Sequence, residues 1–249
     1  MADADAVQDG EVITPGTSTP GEMSLVGHLT ELRNRIVKSI VAVAVGSVLG
    51  AIFWKDIRNV LIAPLPTGTV QVLGPGDAFV IFLRISIIAG VILAMPVILW
   101  QLWKFIAPGL TESEQRVVRP WIPLALVFFV IGVTIAYIIL PFATGFLLGF
   151  TDDVLVGNLA AGPYFDFVTT MFLAFGLIME FPIILFGLSR VGIVTSQRLS
   201  SSRRVIILGI AIFATAITPG GDIVSPIALG GTMYILFEGT VLFIRRSGK

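Results

Sequence analysis

A chain of 249 residues that is 55% apolar and only 13% charged, with mean hydropathy +0.96, carries about half the charge of an ordinary water-soluble domain. The lack of cysteine excludes disulfides, thiol nucleophiles and thiolate metal sites. The single histidine, His28, excludes multi-histidine metal centres and most histidine-dependent catalysis. Net charge is zero, but the charges are segregated along the chain, and that segregation defines a topology.

Residues 1–22 contain Asp3, Asp5, Asp9, Glu11 and Glu22, no basic residue, and two prolines. Such a stretch cannot form an apolar core and reads as a disordered acidic tail. It has no basic segment followed by an apolar run, so no cleaved signal peptide is expected. Residues 23–246 read as one membrane domain and 247–249 as a short cytoplasmic tail.

Ahead of the first long apolar run lies VGHLTELRNRIVKSI, residues 26–40. In helical register Leu25, Leu29, Leu32 and Ile36 share a face that suits a membrane surface. Glu31 heads a basic cluster of Arg33, Arg35 and Lys38. Its spacing from Arg35 predicts an i,i+4 ion pair worth about 0.2–0.5 kcal/mol. The other reading keeps the same carboxylate for the arginines of a partner.

Six apolar runs follow, at 37–54, 78–106, 121–140, 163–189, 205–217 and 223–244. A helix needs about 20 such residues to cross the hydrocarbon. The fifth run alone reaches only about 20 Å, so the last two helices are expected to be short. With six spans, 13 of the 16 basic residues fall on one side, which the positive-inside rule makes cytoplasmic. Both termini are then cytoplasmic. Lys55 and Arg58 lie outside, and Arg84 is left within the second span. The fold class expected is an all-α membrane protein, a kinked, concave bundle of six spans, with Pro96, Pro123, Pro141, Pro182 and Pro226 bending the helices. The two long outer loops, 58–77 and 149–166, are punctuated by Pro and Gly and are expected to carry short capping elements.

Between spans two and three, KFIAPGLTESEQR places Pro108 and Gly109 at a helix end. Thr111 and Glu114 follow at capping-box spacing. Glu114 is also a second carboxylate on the membrane face of Glu31, and two acids there suit bidentate guanidinium binding. Glu180, in GLIMEFPIIL, lies about ten residues from Arg190 and hence near mid-bilayer, where a charge must face the bundle, a partner or water. Glu238 stands nearer the cytoplasmic end, within reach of Arg245 or Arg246, and Asp222 lies in an outer turn.

Taken together, HLTELRNRI, APL in the first outer loop, WKFIAPGL with its following Glu, FGLIMEFP, ITPGGD and YILFEG resemble, in order and sidedness, the TatC family. TatC is the six-span receptor subunit of the twin-arginine (Tat) protein translocase. The resemblance runs from about Ser24 to Arg246. It implies that Glu31 and Glu114 bind the paired arginines of signal peptides of folded proteins, with Arg33, Phe105, Pro108 and Leu110 around that patch. Glu180 then matches the buried glutamate of span four, Pro64 the outer-loop proline, and Asp222 the acid of the span-five turn. That turn, TPGGDIVSP, is one residue longer than the usual pattern, and Pro226 replaces a residue that is polar in many relatives.

The resemblance further implies a prokaryotic cytoplasmic-membrane location, single-span partners of the TatA and TatB type, homo- and hetero-oligomers, and transport driven by the proton-motive force. No enzyme activity, cofactor, metal or nucleic acid is expected, and no G-x-x-x-x-G-K-[ST] loop occurs. The alternative is a proton-coupled small-solute carrier with Glu180, and Glu238 beside it, as the relay.

Overall fold

The computed structural model describes residues 25–65, 68–150, 159–190, 192, 194–218 and 222–246. The expected tails at 1–22 and 247–249 lie outside the described residues. Among those described, the chain is helical, and its one β-type pairing is an isolated parallel bridge between Gln71 and Ala160.

Helix α1 (Leu25–Ile52) joins the basic cluster and the first apolar run in one continuous rod. It packs antiparallel on α3 (Asp77–Ile106) through glycine. A Cβ on Gly46 would stand 2.7 Å from the Gly90 carbonyl oxygen, and one on Gly50 the same distance from that of Ser86. Close backbone approach of this kind holds membrane helices together where lipid is as apolar as the side chains. The outer face of α1 keeps Ile40, Val45, Val48 and Ile52 exposed, as a lipid-facing helix requires.

Short α2 (Trp54–Ile62) lies in the connection between α1 and α3, where the sequence predicts a capping element. Leu61 and Leu65 are buried there, and the Tyr164 hydroxyl donates to the Leu61 carbonyl at 2.6 Å. Gln71 bonds Leu159 and Ala161 through its backbone (2.8 and 2.7 Å), which ties the α1–α3 connection to the start of the fourth apolar run.

Beyond α3, a 3-10 turn (Ala107–Gly109) leads to α4 (Glu112–Val118) and α5 (Trp121–Leu148). The fourth apolar run forms α6 (Ala161–Ile178) and α7 (Phe181–Arg190), with a break at Met179 and Glu180. Pro182 has no N–H to offer the Ile178 carbonyl, and the ladder shifts there into tighter Glu180-to-Leu177 and Ile183-to-Glu180 bonds. Helix α6 is the centre of the bundle. Tyr164, Phe165, Val168, Met171, Phe172 and Phe175 are all buried against α3, α5 and α10.

After α8 (Ser196–Ser201) come α9 (Arg203–Ile217) and α10 (Val224–Arg246). Ser225, in the first turn of α10, meets the Met171 sulfur at 3.6 Å. Met171 lies ten residues, about 15 Å, along α6 from Ala161. The α9–α10 pair therefore starts beside the middle of α6, which is why α9 needs only 15 residues. The sixth helix is not short: α10 has 23 residues, and its tail carries Arg245 and Arg246 beyond the apolar stretch.

Among the described residues, five helical segments are long and apolar enough to cross a membrane: Gly27–Ile52, Asp77–Gly109, Glu112–Leu148, Ala161–Ser189 and Val224–Arg246. Helix α9 falls below that length. The prolines divide into two kinds. Pro96 and Pro141 lie inside helices, and Pro182 adjoins the α6–α7 break. Pro123 and Pro226 instead occupy first turns, where no N–H is needed and no bend follows.

Candidate functional site

The head of α1 is fixed to the foot of α3. The His28 ring stacks on Phe105 with centroids 4.4 Å apart and planes 15° from parallel. One turn later Glu31 accepts from the Arg35 guanidinium at 2.8 Å, and Arg35 donates also to the Gln101 side chain at 3.3 Å. The local ion pair expected from spacing is present, and its side chains are about 20% exposed. Arg35 Nε is buried with no partner among the described residues, so this guanidinium is only partly satisfied.

The segment after Phe105 is shaped by its own sequence. Pro108 sits in the 3-10 turn, exposed, and Leu110 is half-buried. The Gln115 amide donates to the carbonyls of Ala107 and Leu110 at 2.8 and 3.1 Å, which folds α4 back on the turn. The Thr111–Glu114 capping box is complete. The Thr111 N–H donates to the Glu114 carboxylate at 2.9 Å, and the Glu114 N–H to the Thr111 hydroxyl at 3.4 Å. Glu114 is thus engaged in its own helix start, as Glu31 is engaged with Arg35. Arg33 is exposed on α1. The fold brings Glu31, Arg33, Phe105, Pro108, Leu110 and Glu114 to one end of the bundle through the α1–α3 contact. It pairs neither acid with the other.

Glu180 is 7% exposed at the α6–α7 break, and its Oε1 has no partner among the described residues. No Thr or Gln hydroxyl or amide bonds that oxygen. Glu238 pairs with neither Arg245 nor Arg246. It binds Arg203 of α9 at 2.9 Å, because residues 238 and 203 lie at the same level of the antiparallel α9–α10 pair. Asp222 is buried, and its Oδ1 accepts the Ser225 N–H at 2.5 Å, which starts α10; its Oδ2 has no partner among the described residues. Pro64 is half-buried beside Leu65 in the outer cap.

One polar pair escaped the sequence reading. Arg84, left unexplained within the second span, meets Asp166 of α6 at 2.7 Å. Asp166 falls where the second long loop and the fourth apolar run overlap in the sequence, and it is the sixth residue of α6. The available signal was Arg84 itself, since an arginine inside a span demands an acid at the same depth.

A family model described as Sec-independent protein translocase protein (TatC) matches residues 27–231. A TatC from Carboxydothermus hydrogenoformans is 32% identical over 226 residues, covering 90% of this chain and 93% of its own. Another from Desulforapulum autotrophicum is 35% identical over 232 residues, covering 89% and 84%. A crystal structure of the twin arginine translocase receptor TatC, determined in the detergent DDM, matches with TM-score 0.78 and 32% identity. It covers 87% of this chain and 99% of that one.

Proposed function

Because the chain belongs to the TatC family of Sec-independent protein translocase proteins, we propose that it is the receptor at which twin-arginine signal peptides of folded proteins are captured. The family assignment makes it a membrane-embedded, multi-span subunit of protein transport rather than an enzyme. In the proposed reading the paired arginines bind the carboxylates of Glu31 and Glu114, with Arg33, Phe105, Pro108 and Leu110 around them. Single-span partners of the TatA and TatB type then assemble on the receptor, in homo- and hetero-oligomers. The proton-motive force drives the folded passenger across a prokaryotic cytoplasmic membrane. Six spans with both termini cytoplasmic complete the topology, with α9 as the fifth. Glu180 offers the incoming signal peptide or partner helix a polar contact in the bundle.

The observation that carries this reading is the His28–Phe105 stack. It sets Glu31 beside the start of the segment that leads to Glu114. Neither acid is deeply buried, so a guanidinium from outside can reach both. Guanidinium binds such oxygens bidentately, whereas ammonium does not. The carrier alternative is weakened because Glu238, the second member of its relay, is held by Arg203.

Site-specific crosslinking of a signal peptide to the protein in nanodiscs tests the receptor. A paired-arginine peptide is expected to crosslink in preference to its paired-lysine version, and the preference should disappear in Glu31→Ala and Glu114→Ala. Equal crosslinking in all combinations would overturn the reading.

A further inference from the structure

The ends of α3 and α5 nearest α4 do not close on each other. Between them runs a groove of about 440 Å³ lined by Pro96, Leu99, Trp100, Ile122, Pro123 and Leu126, with Arg119 from the α4–α5 turn at its end. Every wall but one is apolar. Lys104, one turn beyond Trp100 on α3, holds its ammonium 5.4 Å from the centre of the Trp100 ring. Arg119 and Lys104 are exposed, and the three ion pairs among the described residues use other cations, namely Arg35, Arg84 and Arg203.

An apolar groove that opens into a bilayer cannot stay empty without losing dispersion contacts, and it offers water no polar partners. Its natural filling is an acyl chain. Arg119, which lines the groove, and Lys104, held against its Trp100 wall, choose among lipids. A guanidinium and an ammonium beside an interfacial tryptophan bind a phosphodiester and gain little from a headgroup of zero net charge. The same charges repel a twin-arginine peptide, so this groove and the acidic patch at Glu31 select opposite ligands. We propose that the groove between α3 and α5 is a binding site for an anionic phospholipid, with an acyl chain between Leu99 and Leu126 and the phosphate held by Arg119 and Lys104.

Native mass spectrometry of the full chain tests the site, with phosphatidylglycerol and phosphatidylcholine of identical chains offered in equal amounts. Wild type is expected to retain phosphatidylglycerol by roughly thirtyfold over phosphatidylcholine at low salt, the scale set by two basic groups near an anionic surface. The preference should fall to near unity in the doubly substituted Arg119→Gln, Lys104→Gln protein, with wild-type helix content by circular dichroism. Equal retention by wild type, or a preference surviving both substitutions, would overturn the proposal. A photo-crosslinker at position 126 in native membranes supplies an independent arm. Lipid adducts support the site, and a polypeptide adduct in their place assigns the groove to a partner helix and overturns it.

Discussion

Arg35 donates to Glu31 at 2.8 Å, so the carboxylate proposed to receive a substrate guanidinium already holds one from its own helix. Arg35 leaves one buried N–H unpartnered in this position, which limits how firmly it stays. A substrate arginine must displace it, and displacement multiplies the dissociation constant of any cationic peptide by the same factor. Replacing Arg35 with Gln should therefore tighten binding of paired-arginine and paired-lysine peptides alike. The gain should be about fivefold, the equivalent of about 1 kcal/mol for one such bond. The ratio between the two peptides should not change. Titration of labelled peptides against nanodisc-held protein reads both numbers. A loss of affinity for both would show that Arg35 supports the fold of the patch and does not compete for it.

Glu114 has two duties in this structure, and one substitution separates them. Glutamine keeps the capping box with Thr111 but removes the charge. Glu114→Gln should keep the wild-type melting temperature and lose preference for arginine over lysine peptides, whereas Glu114→Ala should also destabilise α4, by about 1 kcal/mol. If the glutamine variant binds like wild type, the contribution of Glu114 is confined to the cap.

At the α6–α7 break, Glu180 buries an oxygen without a partner. Removing an unsatisfied buried polar group in favour of an apolar one of similar size is neutral or stabilising, by about 1–3 kcal/mol. Glu180→Leu should thus raise or preserve the melting temperature while lowering export of a twin-arginine reporter. Unchanged export with unchanged partner assembly would remove Glu180 from the mechanism.

Gly90 is the tightest point of the α1–α3 contact. A Cβ there would lie 2.6 Å from the Ser47 nitrogen and 2.8 Å from its Cα, both of them backbone atoms that cannot step aside. Gly90→Leu should cost about 3 kcal/mol through forced helix separation and should loosen the His28–Phe105 end of the same helix pair. Gly209 on α9 faces open space, and Gly209→Ala should be tolerated. Thermal unfolding followed by fluorescence-detected chromatography compares the two. Equal behaviour would mean that the glycine contact does not hold α1 to α3.

Much of the molecule was legible in residue order alone. Apolar runs and the charge deficit gave a helical membrane protein, because lipid tolerates no unpaired backbone and leaves the helix as the solution for such runs. Thr111 and Glu114 announced their capping box, and Glu31 with Arg35 their ion pair, because both interactions close within one helical turn. These are local rules, and local rules survive the loss of tertiary information.

The pairings that span the chain were decided elsewhere. Glu238 had nearby cations in Arg245 and Arg246, yet the antiparallel α9–α10 packing delivered Arg203. Arg84 found Asp166, 82 positions away, only because α3 and α6 pack side by side. His28 reached Phe105 because glycines let α1 lie close along α3. The sequence by itself determined that the long apolar runs form membrane helices and which acids and bases they carry, since hydropathy and capping act over a few residues. Tertiary structure alone decided which charges meet, because helix depth and rotation are set by packing between elements, and no single helix records them.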